Sequence, residues 1–534
     1  MRRLRPSIWA ALLLGAAGVN APAAERVLHR TGTDDPATLD PHKAAFPGEQ
    51  LVLLDLFMGL TTHDKFGRPV PGCAESWTVS GDGLTYEFKL RPGLTWSDGA
   101  PLTADDFVWS LRRALDPRTA YAFASRLYPV RNARAVARGE RPPAALGVSA
   151  PAPDRLRLEL EHPAPYLTDI IATVFLPAPR HAIEKHGSAW IRPAHFVGNG
   201  PFVLDRWLPN TYVRVRRNPR FWGADRVRLD AVHHYPVDNQ YTPLRRFAAG
   251  NLDLVIVVPP ERAAWARREF GAALKVGRGI SNEVLVFNTR KGPTADRRVR
   301  RALSMAIDRD AIASRIIGMP DVASFGYVPP GVQHYAELGI ESPRMDFLDW
   351  SLEQRTAQAR RLLAEAGYDA ARPLRIRLLI PSTDLNRKVA VAIANDWRRL
   401  GVVQPELIQK ETKGLVAEVA RGNFDAVRFV WLANYNDPYS FLERMLSGGS
   451  TVGVNQSGYH NPRFDALLAR AAAELDLKRR AEWLRDAEAL ALADQPVAPI
   501  HYLVGRRLVS PRVEGFVDNP RGLYPSWYYS VPPR

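Results

Sequence analysis

A single cysteine, Cys73, in a chain of 534 residues leaves packing and hydrogen bonding to hold the protein together. One thiol excludes an intramolecular disulfide, a CxxC redox pair and any multi-cysteine zinc or iron–sulfur centre. The cores must therefore be large. With 46% hydrophobic and 24% charged residues, the chain has apolar material for about three domains or two large lobes. That balance also excludes a disordered tail and a polytopic membrane protein.

Residues 1–24 have the layout of an export leader. Arg2, Arg3 and Arg5 precede an apolar run from Ile8 to Val19, and a small-residue exit follows at Ala21-Pro22-Ala23. The run is too short for the roughly 20 residues that a membrane-spanning helix needs, and no second segment of that length and apolarity follows. A soluble, exported chain is expected, free in a periplasm, without a lipid anchor because no cysteine lies near the exit. Lys+Arg total 72 against 56 acids, and only ten of the 72 are lysines. An arginine bias spread along the whole chain is a genomic habit or the sign of an anion-attracting cleft or envelope surface. No nucleic-acid-reading motif accompanies it, so nucleic acid is not an expected partner.

The patterning changes along the chain. Arg26–Arg30 reads as a strand and Leu51–Phe57 as a buried helical or extended segment. Residues 61–185 are strand-rich, with Tyr86, Phe88 and Leu90 and then Leu156, Leu158 and Leu160 alternating with polar residues. Between them Thr103 caps a helix whose Phe107, Leu111 and Leu115 share a face, while Asp105 and Asp106 favour its positive end. The Pro/Ala-rich stretch 142–153 reads as a loop. From about residue 295 helices and strands alternate. Ser351 and Gln354 form a capping box for a helix ending at Gly367. A βαβ unit then follows: a strand at Leu374–Ile380, a helix carrying Val389, Ile393 and Leu400 with Gly401 as its stop, and a strand at Val402–Ile408. Phe424–Leu432 reads as a strand apolar on both faces, suited to a sheet interior.

Catalytic signatures are missing. G-x-S-x-G, H-E-x-x-H and the Walker A pattern do not occur, and Gly277-Arg278-Gly279 lacks the third glycine of a dinucleotide loop. His181 and His186 are off the i, i+4 spacing, and His233-His234 point to opposite sides of a strand, so no metal site and no cofactor are expected.

Nine motifs stand in order: Leu39-Asp40-Pro41-His42; Leu56-Phe57-x-Gly59-Leu60; Ala74-Glu75-Ser76-Trp77; Leu90-Arg91-x-Gly93-Leu94-x-Trp96-Ser97-Asp98-Gly99; Thr103-Ala104-x-Asp106-Phe107; Gly198-Asn199-Gly200-Pro201-Phe202; Arg298-Val299-Arg300-Arg301-Ala302-Leu303; Leu362-Leu363-Ala364-Glu365-Ala366-Gly367-Tyr368; and Tyr435-Asn436-Asp437-Pro438. Together they closely resemble the periplasmic oligopeptide-binding proteins of ABC importers, extracellular solute-binding family 5, across essentially the whole chain after the leader.

The resemblance implies an α/β, two-lobed periplasmic-binding-protein fold of class II, with three domains, a hinge and a ligand cleft between the lobes. One lobe core would comprise 25–60, 186–290 and 500–534, an extra strand-rich domain 61–185, and the second lobe 291–499. It also implies a monomer without enzymatic activity that hands its cargo to permease subunits driven by cytoplasmic ATPases. A peptide or peptide-like ligand would lie extended against Val430-Trp431-Leu432 and the loop Ala44–Pro47, which includes Phe46, because main-chain pairing tolerates varied side chains.

Departures from the family pattern bear on the ligand. The usual aspartate for a ligand ammonium is Asn434 here, and Pro47 lacks an N–H where pairing would use one. Asn386 and Glu418 fall near a histidine and an arginine that meet ligand carboxylates in the best-known members. Arg428 keeps a basic position, and Arg290 or Lys291 stands in for a lysine. Leu432 replaces a cysteine that is disulfide-bonded in some members. Trp431 and Tyr502 are either ligand contacts or core, Asn434 a ligand contact or a turn residue, and Arg428 needs a ligand carboxylate or an internal acid. N-blocked peptides, cell-wall peptides and opine-like conjugates are the ligands this pattern suits. A metal chelate or nickel on the same fold is the alternative, and a periplasmic chaperone or enzyme fits less well.

Overall fold

The computed structural model describes residues 24–319, 322–447 and 455–534; the expected leader, apart from Ala24, lies outside the described residues. The strands in chain order are β1 (Val27–Thr31), β2 (Thr61–His63), β3 (Pro69–Pro71), β4 (Ala74–Val79), β5 (Thr85–Leu90), β6 (Val148–Ala152), β7 (Arg155–Glu159), β8 (Phe202–Leu208), β9 (Tyr212–Arg217), β10 (Ala231–Tyr235), β11 (Leu254–Val255), β12 (Leu274–Phe287), β13 (Leu374–Pro381), β14 (Val403–Lys410), β15 (Ala426–Leu432) and β16 (Val497–Val509).

Ten of them form one sheet in the order β14-β13-β15-β12-β16-β11-β1-β10-β9-β8. The two longest strands carry this sheet from one lobe into the other. Leu274–Arg278 of β12 pairs with Val504–Leu508 of β16 in the lobe that holds β11, β1, β10, β9 and β8. Ser281–Phe287 pairs with β15 in the lobe that holds β13 and β14. Between these stretches the register of β12 against β16 shifts, from Arg278 opposite Val504 to Asn282 opposite Tyr502. Gly277 sits at this crossing because a Cβ there would lie 2.3 Å from Asp518 Oδ2, a carboxylate held by Arg507 at 2.7 Å and by the Tyr524 hydroxyl at 2.6 Å. The Gly277/Gly279 pair is a strand-crossing feature.

A separate four-stranded sheet, β4-β5-β7-β6, is backed by the helix Ala104–Leu115. The Thr103 N–H donates to Asp106 Oδ2 at 2.8 Å, and Phe107, Leu111 and Leu115 are buried to 1% exposure or less. Each such side chain stabilises the fold by about 1.5–3 kcal/mol. The stretch expected as a loop at 142–153 instead contains β6. Its Pro151 is tolerated because β6 is an edge strand whose outer side needs no ladder hydrogen bond.

Local chemistry sets the second lobe. Ser351 and Gln354 cap the helix Leu352–Glu365 reciprocally, with Gly367 at φ +83° beyond its end. The parallel pair β13–β14 then encloses the helix Asp384–Arg398, as the βαβ pattern predicts. The segment Leu51–Phe57 resolves as the helix Pro47–Leu56.

Two predictions arise from the buried titratable groups. Cys73 is fully buried, with Sγ 3.3 Å from the Met58 carbonyl oxygen, and burial pushes its thiol up to about 12. A thiol reagent should find no reactive cysteine in the native protein and one per chain in denaturant. Burial also holds His42, His233 and His501 near 4, against an ordinary 6.5, and lowers His63 and His234. Desolvation acts the other way on Glu488, raised to about 7 from 4.5, and Asp396, raised to about 6 from 3.8. Between pH 4.5 and 6 the unfolded chain takes up histidine protons that the native state refuses. Burial raises the carboxyls of Glu283 and Asp106 as well, but the five lowered histidines outnumber these four carboxyls, so the melting temperature should rise with pH through that window.

Candidate functional site

The site is organised around a strand that outruns its neighbour. β13 pairs with β15 only at Leu378–Ala426 and Leu379–Val427, then ends at Pro381. β15 continues to Leu432 and pairs as a strand there with β12, while the Leu432 carbonyl accepts Arg444 Nη2 at 2.7 Å. Among the described residues, no strand covers the other edge of Arg428–Leu432. The expectation of an interior strand therefore holds only for its first half. Val430 and Leu432 are 41% and 57% exposed, the arrangement by which an open edge takes an added strand beside alternate side-chain pockets.

Cross-strand register sorts the neighbouring side chains onto two faces. Trp431, Asn282 and Tyr502 form one row across β15, β12 and β16. Asn282 is buried and donates to Ser324 Oγ, the Gly326 carbonyl and the Tyr327 carbonyl at 3.2, 2.9 and 3.3 Å. Trp431 and Tyr502 are themselves buried, at 3% and 9% exposure, and Tyr502 borders a cavity of about 220 Å³ with Tyr335 and Arg344. On the other face Glu283 stands opposite both Val430 and His501. Arg428 Nη2 lies 3.0 Å from Glu283 Oε2, both groups being buried. Of the two partners that a guanidinium in this strand required, the structure supplies the internal acid. Burial drives the Arg428 guanidinium down and the Glu283 carboxyl up, while each one's charge opposes the other's shift.

The turn after β15 is anchored by segments far apart in the chain. The Asn434 N–H donates to Ser440 Oγ at 2.9 Å, and the residue, two positions past the end of β15, is half-buried. Tyr435 stacks on Tyr166 with ring centroids 4.3 Å apart, and the Asn436 N–H donates to Asp169 Oδ2 at 2.6 Å. Asp437 is fully buried and receives both Nη1 and Nη2 of Arg480, at 2.8 and 2.9 Å, together with the His334 ring. These contacts hold its carboxyl well below the usual range.

The loop Ala44–Pro47 lies in the lobe of β1, with Phe46 57% exposed at the start of the helix Pro47–Leu56. Its donors are already engaged. The Ala44 N–H goes to the Asp40 carbonyl at 3.0 Å, and those of Ala45 and Phe46 go to Glu49 Oε2 at 2.7 and 2.9 Å. Since Pro47 has no N–H, this loop offers a ligand acceptors only.

The remaining expected residues lie elsewhere. Glu418, on the helix Thr412–Ala420, binds the Asn423 side chain and lies 3.5 Å from Arg421. Arg290 packs on Gly458, and Lys291 approaches Gly422. These three gather at the Ala426 end of β15, about 20 Å along the strand from Leu432 at 3.4 Å per residue. The structure thus brings together Arg428, Val430, Trp431, Leu432, Asn434 and Tyr502, but not Glu418, Arg290 or Lys291. Asn386 is in the first turn of the helix Asp384–Arg398, its N–H 3.3 Å from Thr383 Oγ1. That helix, beyond the carboxyl end of β13, lines a cavity of about 1350 Å³ together with residues of Pro260–Arg268 and of Arg315–Met319. Sequence reasoning missed this cavity, as well as Glu283, His501 and Ser440. A lone acid ahead of the apolar run Val284–Phe287 was the available signal for Glu283.

A family profile described as "Bacterial extracellular solute-binding proteins, family 5 Middle" matches residues 68–452. The chain is 36% identical to the "Probable deoxycholate-binding periplasmic protein YgiS" of Escherichia coli K12, over 97% of each chain. It is 34% identical to the periplasmic oligopeptide-binding protein OppA of the same organism, over 95% of this chain and 94% of that one. Among solved structures, the unliganded open form of the periplasmic murein tripeptide-binding protein MppA superposes with a TM-score of 0.82 at 32% identity, covering 96% of this chain and 99% of that one. The Haemophilus influenzae OppA complex with the peptide RPPGFSPFR gives 0.79 at 30%, over 95% and 99%. The chain has the two-lobed fold of these proteins and belongs to the bacterial extracellular solute-binding proteins of family 5.

Proposed function

We propose that this protein is a periplasmic receptor that closes its two lobes on a peptide or peptide-like ligand and delivers it to an ABC permease. The open edge of β15 at Arg428–Leu432 carries this reading, since it is where a ligand main chain can add as a strand. Exposed Val430 and Leu432 beside it and Phe46 on the other lobe supply apolar contact. Relatives named for oligopeptides and for a murein tripeptide support the ligand class.

Asn434 narrows it. A carboxamide gives a ligand ammonium no charge-assisted bond, and the acceptor-only loop at Ala44–Pro47 asks the ligand for donors. The preferred ligand on this reading is an N-blocked or conjugated peptide, and the name of the deoxycholate-binding relative is compatible with a ligand lacking an ammonium. The protein acts as a monomer, exported by cleavage of its leader after about residue 24. The lobe core comprises 25–60, 186–290 and 500–534, with 61–185 as an added domain and 291–499 as the second lobe. Bending is taken up where β12 and β16 cross between them.

Closure follows from differential affinity, because a ligand touching both lobes binds the closed form more tightly. Small-angle X-ray scattering should show the particle contract with a pool of N-acetylated tripeptides, and lose that response when the same peptides are N-methylated along the backbone. A particle that contracts with no peptide pool refutes the reading.

A further inference from the structure

The cavity between the lobes carries a charge imbalance that strand pairing does not use. Arg267 and Arg268 border it from the helix Ala263–Phe270, Arg315 from the π-helix Ile312–Ile317, and Arg387 and Lys388 from the helix Asp384–Arg398. Glu261 and Asp384 are the acids in its lining. Glu261 Oε1 accepts the Tyr241 hydroxyl at 3.1 Å, and Asp384 Oδ1 lies 3.3 Å from Arg387. Among the described residues Arg267, Arg268, Arg315 and Lys388 pair with no acid. Between these cations the wall is apolar, formed by Ile316, Met319, Leu385 and a 42% exposed Val391.

Cations facing one another across the cleft oppose its closure until an anion lies between them. An apolar body bearing carboxylates satisfies both the wall and the rim. We infer that this cavity is the subsite for an anionic, apolar portion of the ligand. The substrate class is then an amphipathic acid, such as an acylated acidic amino acid or peptide, in preference to a neutral or cationic peptide. This inference rests on the interlobe-capture reading above and adds a requirement that strand pairing does not make.

The test uses N-decanoylglutamate and its uncharged diamide, titrated calorimetrically into the full-length mature protein and into an R315A/K388A variant. Both replaced side chains are exposed, and circular dichroism checks that the variant is folded. The diacid should bind at least tenfold more tightly than the diamide, with the ratio falling towards one in the variant and at high salt. Equal affinities, or a ratio unchanged by the substitutions, would overturn the subsite. So would failure of both probes while an acetylated peptide pool still contracts the particle in scattering. Failure of the probes and the pool together would instead remove interlobe capture itself, and the subsite with it.

Discussion

Replacing Asn434 with aspartate is expected to tighten binding of a free-amine tripeptide by ten- to a hundredfold, while its N-acetylated counterpart binds unchanged or more weakly. The backbone at this position is already fixed by the Ser440 hydroxyl, and the residue lies two positions past the end of β15, so the change replaces a dipole with a charge of the same size and shape. A hydrogen bond to a charged group contributes about 1.5–3 kcal/mol, and each 1.4 kcal/mol is a factor of ten in affinity. Paired titrations of the two peptides into both proteins measure the effect. The same modest affinity for the free-amine peptide in both proteins would show that the ligand terminus does not lie at this turn.

Asp437→Ala should be the most damaging single change near the site, costing about 3–5 kcal/mol in a urea or guanidinium titration. It leaves Arg480, with no exposed surface, and the buried His334 without their carboxylate. Arg480 also lies over the rings of Tyr166 and Tyr439, at 5.6 and 5.9 Å, so the loss reaches the stack that holds Tyr435. Because the native carboxyl is held below its ordinary 3.8, the stability it supplies is present above that value and lost as pH falls through the native one. The double replacement D437L/R480M should recover much of the loss, since it removes the stranded charge as well as its partner. A single variant as stable as the parent would show that the turn is not anchored in this way.

Much of the fold was legible because its signals are local. Thr103 with Asp106, Ser351 with Gln354, and the glycines at 367 and 401 act over three or four residues, and each marks a helix end in the structure. β6 was missed because a proline-rich stretch reads as loop unless its place at a sheet edge is known. At the site, the alternation in Val430–Leu432 and the position of Asn434 are written in one segment. The Arg428–Glu283 pair is separated by 145 positions and depends on strand register. The cavity cations come from three segments that only the tertiary fold assembles. Arg290 and Lys291 follow β12 and leave it at the end remote from Leu432, a placement no local pattern encodes.

Native mass spectrometry of the freshly purified protein, with ejection and fragmentation of whatever mass it retains, is the most direct test of ligand capture at this cleft. The expected result is a retained peptide or peptide-like acid whose amine is blocked or absent. A spread of ordinary peptides with free N-termini would contradict it, and would mean that a group other than Asn434 receives the ligand ammonium.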